Sequence, residues 1–454
     1  MLKSKKKPSL NLLVNSRPSK DGLSLMGFSA IVLAAGKGKR MNSSLPKVLH
    51  NLSGRPLIYY VLSQLLNLKR YIKEIIIVVG HKGKDVEKEI RKQFKLSDRA
   101  KIRFVYQPKM LGTANAVEIA SKKVKYNNIL VVCADSPLIT AKSLSLFMAL
   151  FLKKKISCYV LTADVKKGGS LGVITRDAKN KLIAIKEKIG SFTHTACDCA
   201  SEEVNSGIYC FSRNELLAGL PRIKKNKRKG EYFLTDIVDI FYKQGIKLDS
   251  FFLDNAEEIS GINTREDLIA AEKTMRDRVL EVLRNKGISV IDPETTFIQE
   301  GVSIGEGTII YPFTFIEKGV IIGKNCSLGP FIHLRGNSCV GDNTQAGNFL
   351  EINRASIGKG VRIKHFGYIG DAVIEDEVNI GAGTVTANFD GISKNKTYIK
   401  KGAFIGSDTI LVAPVKINKK AVTGAGSVIT KDVKAGEIVV GVPARPLKRG
   451  KKSK

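Results

Sequence analysis

The chain carries two different patterns of apolar and polar residues, one in each half. Over residues 28–252, short apolar runs alternate with amphipathic stretches, whereas from residue 298 onward an apolar residue recurs every six positions. The first pattern is typical of strands that alternate with helices, and the second fits neither a helix nor an alternating strand. The change of period therefore predicts two domains with different architectures.

Four apolar runs in the first half are predicted to be strands, and two amphipathic stretches between them are predicted to be helices. The strands are SAIVLA, EIIIVVG, IRFVYQ and NILVVCAD, and the helices are PLIYYVLSQLLNL and DVEKEIRKQF. Continuous apolar strands between amphipathic helices indicate a Rossmann-like α/β fold with a mostly parallel sheet that is covered on both faces. In such sheets, ligands bind beyond the carboxyl ends of the strands.

The six-residue repeat of the second half predicts a parallel β-helix built from hexapeptide repeats. In this architecture the apolar residue fills the inside of each coil, and the glycine that often follows it permits the turn between flat faces. The period does not determine the handedness. The nineteen repeat positions are Ile298, Ile304, Ile310, Ile316, Ile322, Leu328, Leu334, Val340, Ala346, Ile352, Ile357, Ile363, Ile369, Ile374, Ile380, Ile399, Ile405, Leu411 and Ile417.

A helix that connects the two domains is predicted over about residues 264–286, ending at Gly287. Thr264 and Asp267 have the spacing of a capping box at its start. Its apolar stripe consists of Leu268, Met275, Val279, Val282 and Leu283. We expect a disordered basic extension at 1–25, an α/β domain at 26–259, a linker helix at 260–290, a β-helix at 291–442 and a basic tail at 443–454.

Composition places limits on the class of protein. With 454 residues and 43% apolar content, the chain can build two or three hydrophobic cores. No apolar run reaches the roughly 18 residues that a membrane span needs, and no secretory signal is evident, so we expect a cytoplasmic protein without a membrane span. The seven cysteines are odd in number and show no C-x-x-C spacing, which favours reduced thiols and no structural zinc.

The formal charge of +33 raises the alternative of a basic nucleic-acid-binding protein. Residues 1–25 carry six basic and one acidic side chain, and residues 445–454 carry six basic ones, so part of this charge lies at the termini. The remaining lysines are spread evenly, and no motif interleaves aromatic with basic residues as a single-strand binder would. Small anionic substrates account for the charge equally well, and we therefore expect no nucleic-acid partner.

The segment LAAGKGKRM at residues 33–41, followed by PKVL, comes directly after the first predicted strand. Its alanines and Gly36 are small enough for backbone N–H groups to approach a phosphate or a base closely. Lys37, Lys39, Arg40 and Lys47 can then meet negative charge. The spacing matches neither G-x-G-x-x-G nor the P-loop, so a glycine turn with a solvated basic loop remains an alternative at this point.

These two segments resemble the signature of sugar-phosphate nucleotidyltransferases. The motifs YQPKMLGTANA, CADSPLI, NSG and GEYFLTD continue the likeness in order, and together they resemble the N-acetylglucosamine-1-phosphate uridylyltransferases. The resemblance implies UTP and N-acetylglucosamine-1-phosphate as substrates. It implies uracil and ribose contacts at Leu33, Ala34, Ala35, Gly36, Gln107, Gly112 and Thr113; further substrate contacts at Cys133, Ala134 and Asp135; sugar contacts at Gly172, Glu187 and Asn205; and phosphate contacts at Arg40 and Lys47.

Attack of a sugar phosphate on the α-phosphate of UTP builds charge on oxygens that are already negative, so Mg²⁺ is the expected cofactor. The resemblance implies that Asp135 and Asn263 bind this metal. Each residue has a structural alternative: Asp135 could cap the turn before Ser136, and Asn263 could cap the following helix. Cys133 and Ala134 depart from the aromatic residue and the glycine that the family has here.

The β-helix resembles the hexapeptide acyltransferases, which implies a left-handed helix and a homotrimer. Over residues 27–442 the chain resembles the bifunctional enzymes that acetylate glucosamine-1-phosphate with acetyl-CoA and then perform the uridylyl transfer. The likeness implies His365 as general base, although a lone histidine could instead serve packing. Glu351 could orient His365 or hold the sugar. It also implies acceptor contacts at Arg335, Glu351, Asn353, Tyr368, Asn379 and Lys394, and acetyl-CoA contacts at Ala382, Asn388, Phe389, Ser407 and Ala425.

Three residues of the second half depart from this family. Asn353 replaces a lysine that meets the sugar phosphate, Phe389 replaces a tyrosine, and Gly441 replaces an arginine that meets coenzyme A. Arg445 or Lys448 could supply the last charge. Because alternate side chains of a strand point in opposite directions, we expect that Arg354 does not stand in for the missing lysine. The neutral Asn353 then implies a deficit of about 1 to 2 kcal/mol in acceptor binding.

The sequence therefore predicts a bifunctional enzyme that makes UDP-N-acetylglucosamine. One alternative keeps only the uridylyl transfer and makes the β-helix a trimer scaffold or an acyltransferase for another acceptor. The other alternative is the nucleic-acid-binding protein.

Overall fold

The computed structural model describes residues 27–166, 171–187 and 201–447. The chain divides into two compact units, Met1–Ala271 and Glu272–Lys454. The predicted basic extension lies outside the described residues, as do Cys197, Cys199 and residues 448–454 of the predicted tail. The proposed domain boundaries stay predictions.

The first unit is built on a nine-stranded, mostly parallel sheet. Its main strand order is β11-β7-β10-β6-β1-β4-β5, with β8 and β9 forming a hairpin beside β10. The four predicted strands are confirmed as β1, β4, β5 and β6, whereas β10 runs antiparallel between β6 and β7. The strands are β1 Phe28–Ala34, β2 Asn51–Leu52, β3 Arg55–Pro56, β4 Ile72–Val79, β5 Ile102–Tyr106, β6 Asn128–Cys133, β7 Cys158–Lys166, β8 Val173–Arg176, β9 Leu182–Lys186, β10 Ser201–Ser212 and β11 Leu248–Phe252; β2 and β3 form a separate hairpin.

Helices cover both faces of this sheet, as predicted. Alternate residues of β1 enter two separate apolar cores, with Ala30 and Val32 in one and Ile31 in the other. This division follows from the two-residue period of a strand. The α-helices are α1 Leu57–Asn67, α2 Gly83–Gln93, α3 Leu96–Arg99, α4 Thr113–Ser121, α5 Ala141–Lys154, α6 Arg213–Gly219, α7 Asp236–Lys243 and α8 Arg265–Arg284; short 3-10 helices lie at Lys39–Met41, Lys47–Leu49, Leu220–Arg222 and Ala256–Ile259.

The second unit is a parallel β-helix with three faces, each formed by short strands stacked coil upon coil. The first face comprises Ser289–Val290, Ile309–Ile310, Ser327–Leu328, Gln345–Ala346, Arg362–Ile363, Asn379–Ile380, Phe404–Ile405, Val422–Thr423, Ile438–Gly441 and Ala444–Pro446. The second face comprises Phe297–Ile298, Phe315–Ile316, Ile332–Arg335, Leu350–Asn353, Gly367–Gly370, Thr384–Ala387, Ile410–Val412 and Val428–Ile429. The third face comprises Ser303–Ile304, Ile321–Ile322, Cys339–Val340, Ser356–Ile357, Ala372–Ile374, Thr397–Ile399 and Val415–Ile417.

All nineteen predicted repeat positions are buried inside the coils, with exposures of 8% or less. The predicted left-handed parallel β-helix of hexapeptide repeats is confirmed. The series continues beyond Ile417 at Thr423 and Ile429, which are also buried. A second interior position lies two residues before each repeat residue, and there Thr308 and Thr344 donate hydroxyl hydrogen bonds to backbone carbonyls of the next coil. These two hydroxyls of the second column are thereby hydrogen-bonded inside the protein.

The connecting helix α8 begins with the predicted capping box. Thr264 Oγ1 accepts a hydrogen bond from the Asp267 N–H at 3.1 Å, and Asp267 Oδ2 accepts one from the Thr264 N–H at 2.9 Å. The predicted apolar stripe is wrong at Val282, which is 52% exposed, because Leu280 is buried in its place. Leu280 and Leu283 both pack in the core of the β-helix.

No helix in the described parts of the chain is long and apolar enough to cross a membrane. The five described cysteines, Cys133, Cys158, Cys210, Cys326 and Cys339, are free thiols. Within the described ranges, no cluster of three or more histidine, cysteine or acidic side chains has the geometry of a metal site.

Candidate active sites

Two cavities open at the carboxyl ends of the parallel strands of the first unit. The larger, of about 580 Å³, lies over the loop that follows β1, and the smaller, of about 240 Å³, lies beside β8 and β10. They share Leu33, Thr113, Cys133 and Asp135 as lining residues. A ligand in one cavity can therefore meet a ligand in the other at Asp135.

The loop after β1 forms one wall of the larger cavity. Ala34, Ala35, Gly36 and Lys37 line it, as predicted from their small size and charge. Gly38 has φ +63°, and a Cβ added there would lie 2.6 Å from Cβ of Lys47. Only glycine fits this turn, and its close approach holds the 3-10 helix that carries Lys47 against the loop.

Lys47, Asp135, Asn263 and Arg40 meet where the cavities join. Lys47 Nζ pairs with Asp135 Oδ2 and donates to Asn263 Oδ1 at 3.0 Å, and Arg40 Nη2 donates to the same oxygen at 3.0 Å. The Lys47 and Asp135 side chains are 13% and 23% exposed. Asn263 is brought here because the Ile262 N–H donates to the Asp135 carbonyl at 2.8 Å. The capping role weighed for Asn263 falls to Thr264 instead.

This arrangement fits a magnesium ion. An Asp carboxylate oxygen and an Asn amide oxygen, from segments 128 residues apart in the chain, converge on one cation, the Lys47 ammonium. Mg²⁺ prefers such oxygen ligands and takes few from the protein, leaving the rest to water and phosphate. The ammonium group therefore stands where two oxygens could hold a divalent ion.

The remaining predicted nucleotide residues surround the larger cavity. Gln107 is 5% exposed, and its Nε2 donates to Asn115 Oδ1 at 2.9 Å and to the Gly112 carbonyl at 3.3 Å. These two bonds orient the amide so that its oxygen side is left for a ligand. Glu231 also lines this cavity and was not singled out from the sequence as a site residue, although it belongs to the GEYFLTD motif.

The smaller cavity holds the predicted sugar residues Gly172, Glu187 and Asn205. Asn205 donates to Tyr209 Oη at 2.7 Å, and the Asn205 N–H donates to the Gly172 carbonyl at 2.8 Å. Glu187 Oε1 accepts a hydrogen bond of 2.9 Å from Thr235 Oγ1. Sequence reasoning missed Tyr209 and Thr235; burial raises the pKa of Tyr209 well above its ordinary value, so this phenol stays protonated.

Of the two predicted residues at the end of β6, Cys133 lines the cavities and Ala134 does not. Cys133 lines both cavities, and burial together with the Asp135 charge raises the pKa of its thiol to about 12, which makes it a neutral wall rather than a nucleophile. Ala134 is fully buried, and its N–H donates to the Leu33 carbonyl at 3.0 Å. Its side chain lies in the apolar core together with Ala34, and it lines neither cavity.

In the β-helix, four predicted residues form a single column. Each coil turns from its first face to its second through three residues, which we name the first corner: 311–313, 329–331, 347–349, 364–366, 381–383, 406–408 and 424–426. His365, Ala382, Ser407 and Ala425 are the middle residues of four successive first corners. The sequence therefore placed the candidate base and three coenzyme A residues on one continuous edge.

The last position of the first corner changes character along this edge. Phe313, Phe331 and Phe349 stack with ring centroids 4.6 and 4.7 Å apart, and Phe366 follows on the next coil. The next three coils carry Gly383, Asp408 and Gly426 at this position. The aromatic ridge thus ends at Phe366, next to His365. On the following coils the first corner forms an open strip, with Ala382, Ser407 and Ala425 as its middle residues.

The acceptor residues lie mainly on the second face, next to the first corner. The strand register places Glu351 beside Tyr368, and Arg335 beside Asn353. Arg335 Nη1 donates to Glu351 Oε1 at 2.9 Å. Glu351 therefore holds Arg335 and, in this chain, shows no bond to His365 among the described contacts.

The other predicted residues lie elsewhere on the β-helix. Asn388, Phe389 and Lys394 belong to residues 388–396, which leave the coil after Thr384–Ala387, and Phe389 bridges Lys394 there. Asn379 projects from the first face.

Gly441 has φ +96°, a conformation that side chains rarely adopt, so an arginine would be strained at this position. Arg445 is exposed, and Lys448 lies outside the described residues.

The strand alternation on which the expectation for Arg354 rests does not extend to this residue. Arg354 follows the end of strand Leu350–Asn353 and has φ +52°, so the alternation of a strand does not apply to it. Its guanidinium turns back and donates from Nη1 to Asn353 Oδ1 at 2.9 Å. A positive charge therefore lies beside Asn353 after all.

Comparisons with known proteins identify both halves. Residues 29–277 match the nucleotidyl transferase family, and residues 301–336 match the bacterial transferase hexapeptide family (six repeats). The "Bifunctional protein GlmU" of Syntrophomonas wolfei is 36% identical over 442 residues, which covers 90% of this chain and 96% of that protein. The proteins of the same name from Heliobacterium modesticaldum and Clostridioides difficile are 37% and 34% identical, covering 91% and 94% of this chain and 95% and 97% of their own.

Proposed function

The chain belongs to the family of bifunctional GlmU proteins, and on this ground we propose how its residues perform the two transfers that yield UDP-N-acetylglucosamine. It is a sugar-1-phosphate uridylyltransferase and an N-acetyltransferase. The β-helix acetylates glucosamine-1-phosphate with acetyl-CoA, and the α/β unit then transfers a uridylyl group from UTP to N-acetylglucosamine-1-phosphate. The proposals concern the residues, the metal and the assembly.

For the uridylyl transfer, UTP occupies the larger cavity and the sugar phosphate occupies the smaller one. The junction at Asp135 is the point where a phosphate oxygen of the sugar attacks the α-phosphorus, forming one P–O bond while the bond to the pyrophosphate leaving group breaks. Lys47 and Arg40 neutralise the charge that spreads over the phosphate oxygens. Gln107 orients the base, and Glu187 and Asn205 orient the sugar.

Asp135 and Asn263 are the residues that would hold Mg²⁺ in this site. The ion supplies charge neutralisation at the phosphates. When the two oxygens are engaged in this way, Lys47 loses both of its partners at the junction. Its ammonium group, set on the rigid turn of Gly38, is then free to bind a phosphate oxygen.

For the acetyl transfer, His365 acts as general base on the amine of glucosamine-1-phosphate. The amine nitrogen forms a bond to the thioester carbonyl carbon, the carbon–sulfur bond breaks, and the proton taken by His365 is available for the departing thiolate. The open strip of the first corner, from Ala382 through Ser407 to Ala425, accommodates the pantetheine arm. Glu351 and Tyr368 meet the sugar beside it on the second face.

We also propose that three copies of the chain assemble through their β-helices. Asn379 projects from the first face, whereas Glu351 and Tyr368 project from the second, so these residues point away from each other within one chain. A neighbouring copy that docks at the first corner would bring its own first face toward the acceptor. The site would then combine residues of two copies.

The observation that carries the proposal is the junction of two cavities at Asp135, with Lys47 and Asn263 directed at it. The test is mass spectrometry of the products formed from UTP, Mg²⁺, acetyl-CoA and glucosamine-1-phosphate. We expect UDP-N-acetylglucosamine, pyrophosphate and coenzyme A in equal amounts. Accumulation of UDP-glucosamine, or no consumption of acetyl-CoA, would contradict the acetyl-transfer half.

The relationship to bifunctional relatives over nine tenths of the chain does not favour the alternatives of a β-helix without catalysis or of a nucleic-acid-binding protein. The cytoplasmic location stays a prediction.

A further inference from the structure

The side chain of Asn353 lies beneath a guanidinium group. Asn353 ends its second-face strand and is only 7% exposed, while the Arg354 side chain that donates to its Oδ1 is 38% exposed. Any anion that approaches this part of the second face from solvent meets Arg354 before Asn353. The exposed group at this position is therefore a guanidinium, ion-paired with Asp371, although residue 353 itself is neutral.

Arg354 is held in place by the next coil. Its Nε and Nη2 donate to the two carboxylate oxygens of Asp371 at 2.8 and 2.7 Å, and Asn388 Nδ2 donates to the same carboxylate. Such two-point pairing fixes the plane of a guanidinium. Together with the bonds to Asn353 and Tyr368, these contacts use four of its five N–H groups, so one remains for a ligand.

A second guanidinium lies one coil away. The strand register places Arg335 beside Asn353 and Asn353 beside Gly370, and neighbouring strands are about 4.8 Å apart. The Tyr368 hydroxyl lies over Gly370, where the missing side chain leaves room for it, and it interacts with Arg354. Arg335 and Tyr368 thus lie on the coils on either side of Asn353, and Tyr368 contacts Arg354.

We propose that Arg354, together with Arg335, binds the phosphate group of glucosamine-1-phosphate and supplies the charge that Asn353 lacks. The inference rests on the proposed function of the β-helix as an acetyltransferase. Arg354 is a binding residue for the phosphate of the acceptor, and Asp371 and Asn388 position it. Compared with the lysine that the family has at position 353, the residue that binds the phosphate is shifted by one position along the chain. The cationic group remains on the same part of the second face.

A purely structural reading of Arg354 makes a different prediction. The ion pair with Asp371 joins two successive coils. If this were its only role, its loss would lower the stability of the β-helix and raise the KM for both substrates alike. Loss of a phosphate contact raises the KM for the phosphorylated acceptor and leaves the KM for acetyl-CoA nearly unchanged. The two roles can therefore be separated by kinetics.

The test is Arg354→Met in the full-length chain. We expect the KM for glucosamine-1-phosphate to rise about 5- to 30-fold, the range for a lost charge-assisted contact, with the KM for acetyl-CoA unchanged. Adding Asn353→Lys to this variant should restore most of the affinity, because it returns a cation to the same patch. Asn353→Lys alone should change the KM much less, since Arg354 already supplies the charge.

The matched control is Lys400→Met. Lys400 also joins two coils through an ion pair, donating to Glu375 Oε1 at 2.6 Å, but it follows a third-face strand. This variant should leave both KM values unchanged. Calorimetric titration without acetyl-CoA, comparing glucosamine-1-phosphate with glucosamine, should show that Arg354→Met weakens only the phosphorylated ligand.

An unchanged KM for glucosamine-1-phosphate in Arg354→Met would overturn the inference. An equal rise in the KM for both substrates that Asn353→Lys does not reverse would also overturn it. That result would show that Arg354 serves only to join two coils through Asp371. If the wild-type chain transfers uridylyl groups but acetylates nothing, the proposed function of the β-helix fails, which is distinct from a normal wild type that tolerates loss of Arg354.

Discussion

The ammonium group of Lys47 forms an ion pair with the carboxylate of Asp135 at the junction of the two cavities. Lys47 follows strand β1 and Asp135 follows strand β6, and these strands pair directly in the sheet. The sheet thus places a cation and an anion at the junction where we propose that phosphoryl transfer takes place. Charges fixed before the reaction need no reorganisation when charge develops, which is the main source of catalysis in such sites.

Replacing Asp135 with asparagine should abolish pyrophosphate release from UTP and N-acetylglucosamine-1-phosphate while leaving acetyl transfer intact. The substitution removes the charged metal ligand and keeps the shape of the side chain. Asp249→Asn is the matched control, because Asp249 also pairs with a lysine, Lys154, at the β11 edge of the same sheet. Undiminished uridylyl transfer in Asp135→Asn would contradict the metal assignment.

Replacing Thr235 with valine should raise the KM for N-acetylglucosamine-1-phosphate about fivefold, with the KM for UTP unchanged. Valine keeps the volume but removes the hydroxyl that orients Glu187, a loss of about 1 kcal/mol. Thr235→Ser retains the hydroxyl and should behave like the wild type. Equal behaviour of the valine and serine variants would show that Thr235 does not position Glu187.

Replacing His365 with alanine should reduce acetyl transfer by a factor on the order of 10² to 10⁴, the usual contribution of a positioned general base. The measurement is thiol release from acetyl-CoA with glucosamine-1-phosphate as acceptor. Uridylyl transfer by the same preparation is the internal control and should not change. Loss of both activities would indicate damage to the fold rather than loss of a base.

A fragment from about residue 260 to 454 should fold alone and sediment as a trimer. It contains helix α8, whose Leu280 and Leu283 complete the apolar core of the β-helix, together with every coil. The apolar core of a repeat architecture is formed by the repeats themselves, so removal of the α/β unit should leave the core of the β-helix covered. Sedimentation as a monomer would contradict the proposed assembly.

Truncation of Ile352 to alanine should lower the stability of the β-helix by about 2 to 5 kcal/mol, because the side chain is fully buried in its core. Ile392→Ala removes the same atoms from a side chain that is 94% exposed and should change stability by less than about 0.5 kcal/mol. Denaturant unfolding of both variants measures the difference. Similar losses in the two would show that the repeat positions do not determine stability.

The interior of the β-helix was only partly predictable. The repeat residues are large and apolar, so their burial follows from hydropathy alone, and Ile316 and Leu334 show it. The second interior column was missed, because it alternates residues such as Thr308, Val320 and Ser338 that share small size rather than low polarity. The hydroxyls are acceptable inside because a backbone carbonyl accepts each bond, from the next coil for Thr308 and from Arg335 of the same coil for Ser338. The linear pattern of hydropathy does not show these carbonyls.

The strands of the α/β unit were predicted where they are continuous and apolar. The antiparallel β10 was not, because the Asn205–Ser206–Gly207 interruption breaks its apolar run and local pattern does not reveal direction. The register shift at residues 205–207 nevertheless places Asn205 in the wall of the smaller cavity, where it contacts Tyr209. The irregularity that weakened the strand signal is the feature that shapes this wall.

The sequence by itself determined the two architectures, their order and the residue types available for each chemistry, because periodicity and glycine placement are local properties. The tertiary structure alone decided which of these residues meet. Lys47 reaches Asn263 across 216 positions, and Arg354 lies over Asn353 against the expected alternation because its backbone leaves the strand at a positive φ. Hydropathy is carried by each residue separately, whereas the position of a charge depends on every backbone turn and packing contact that leads to it.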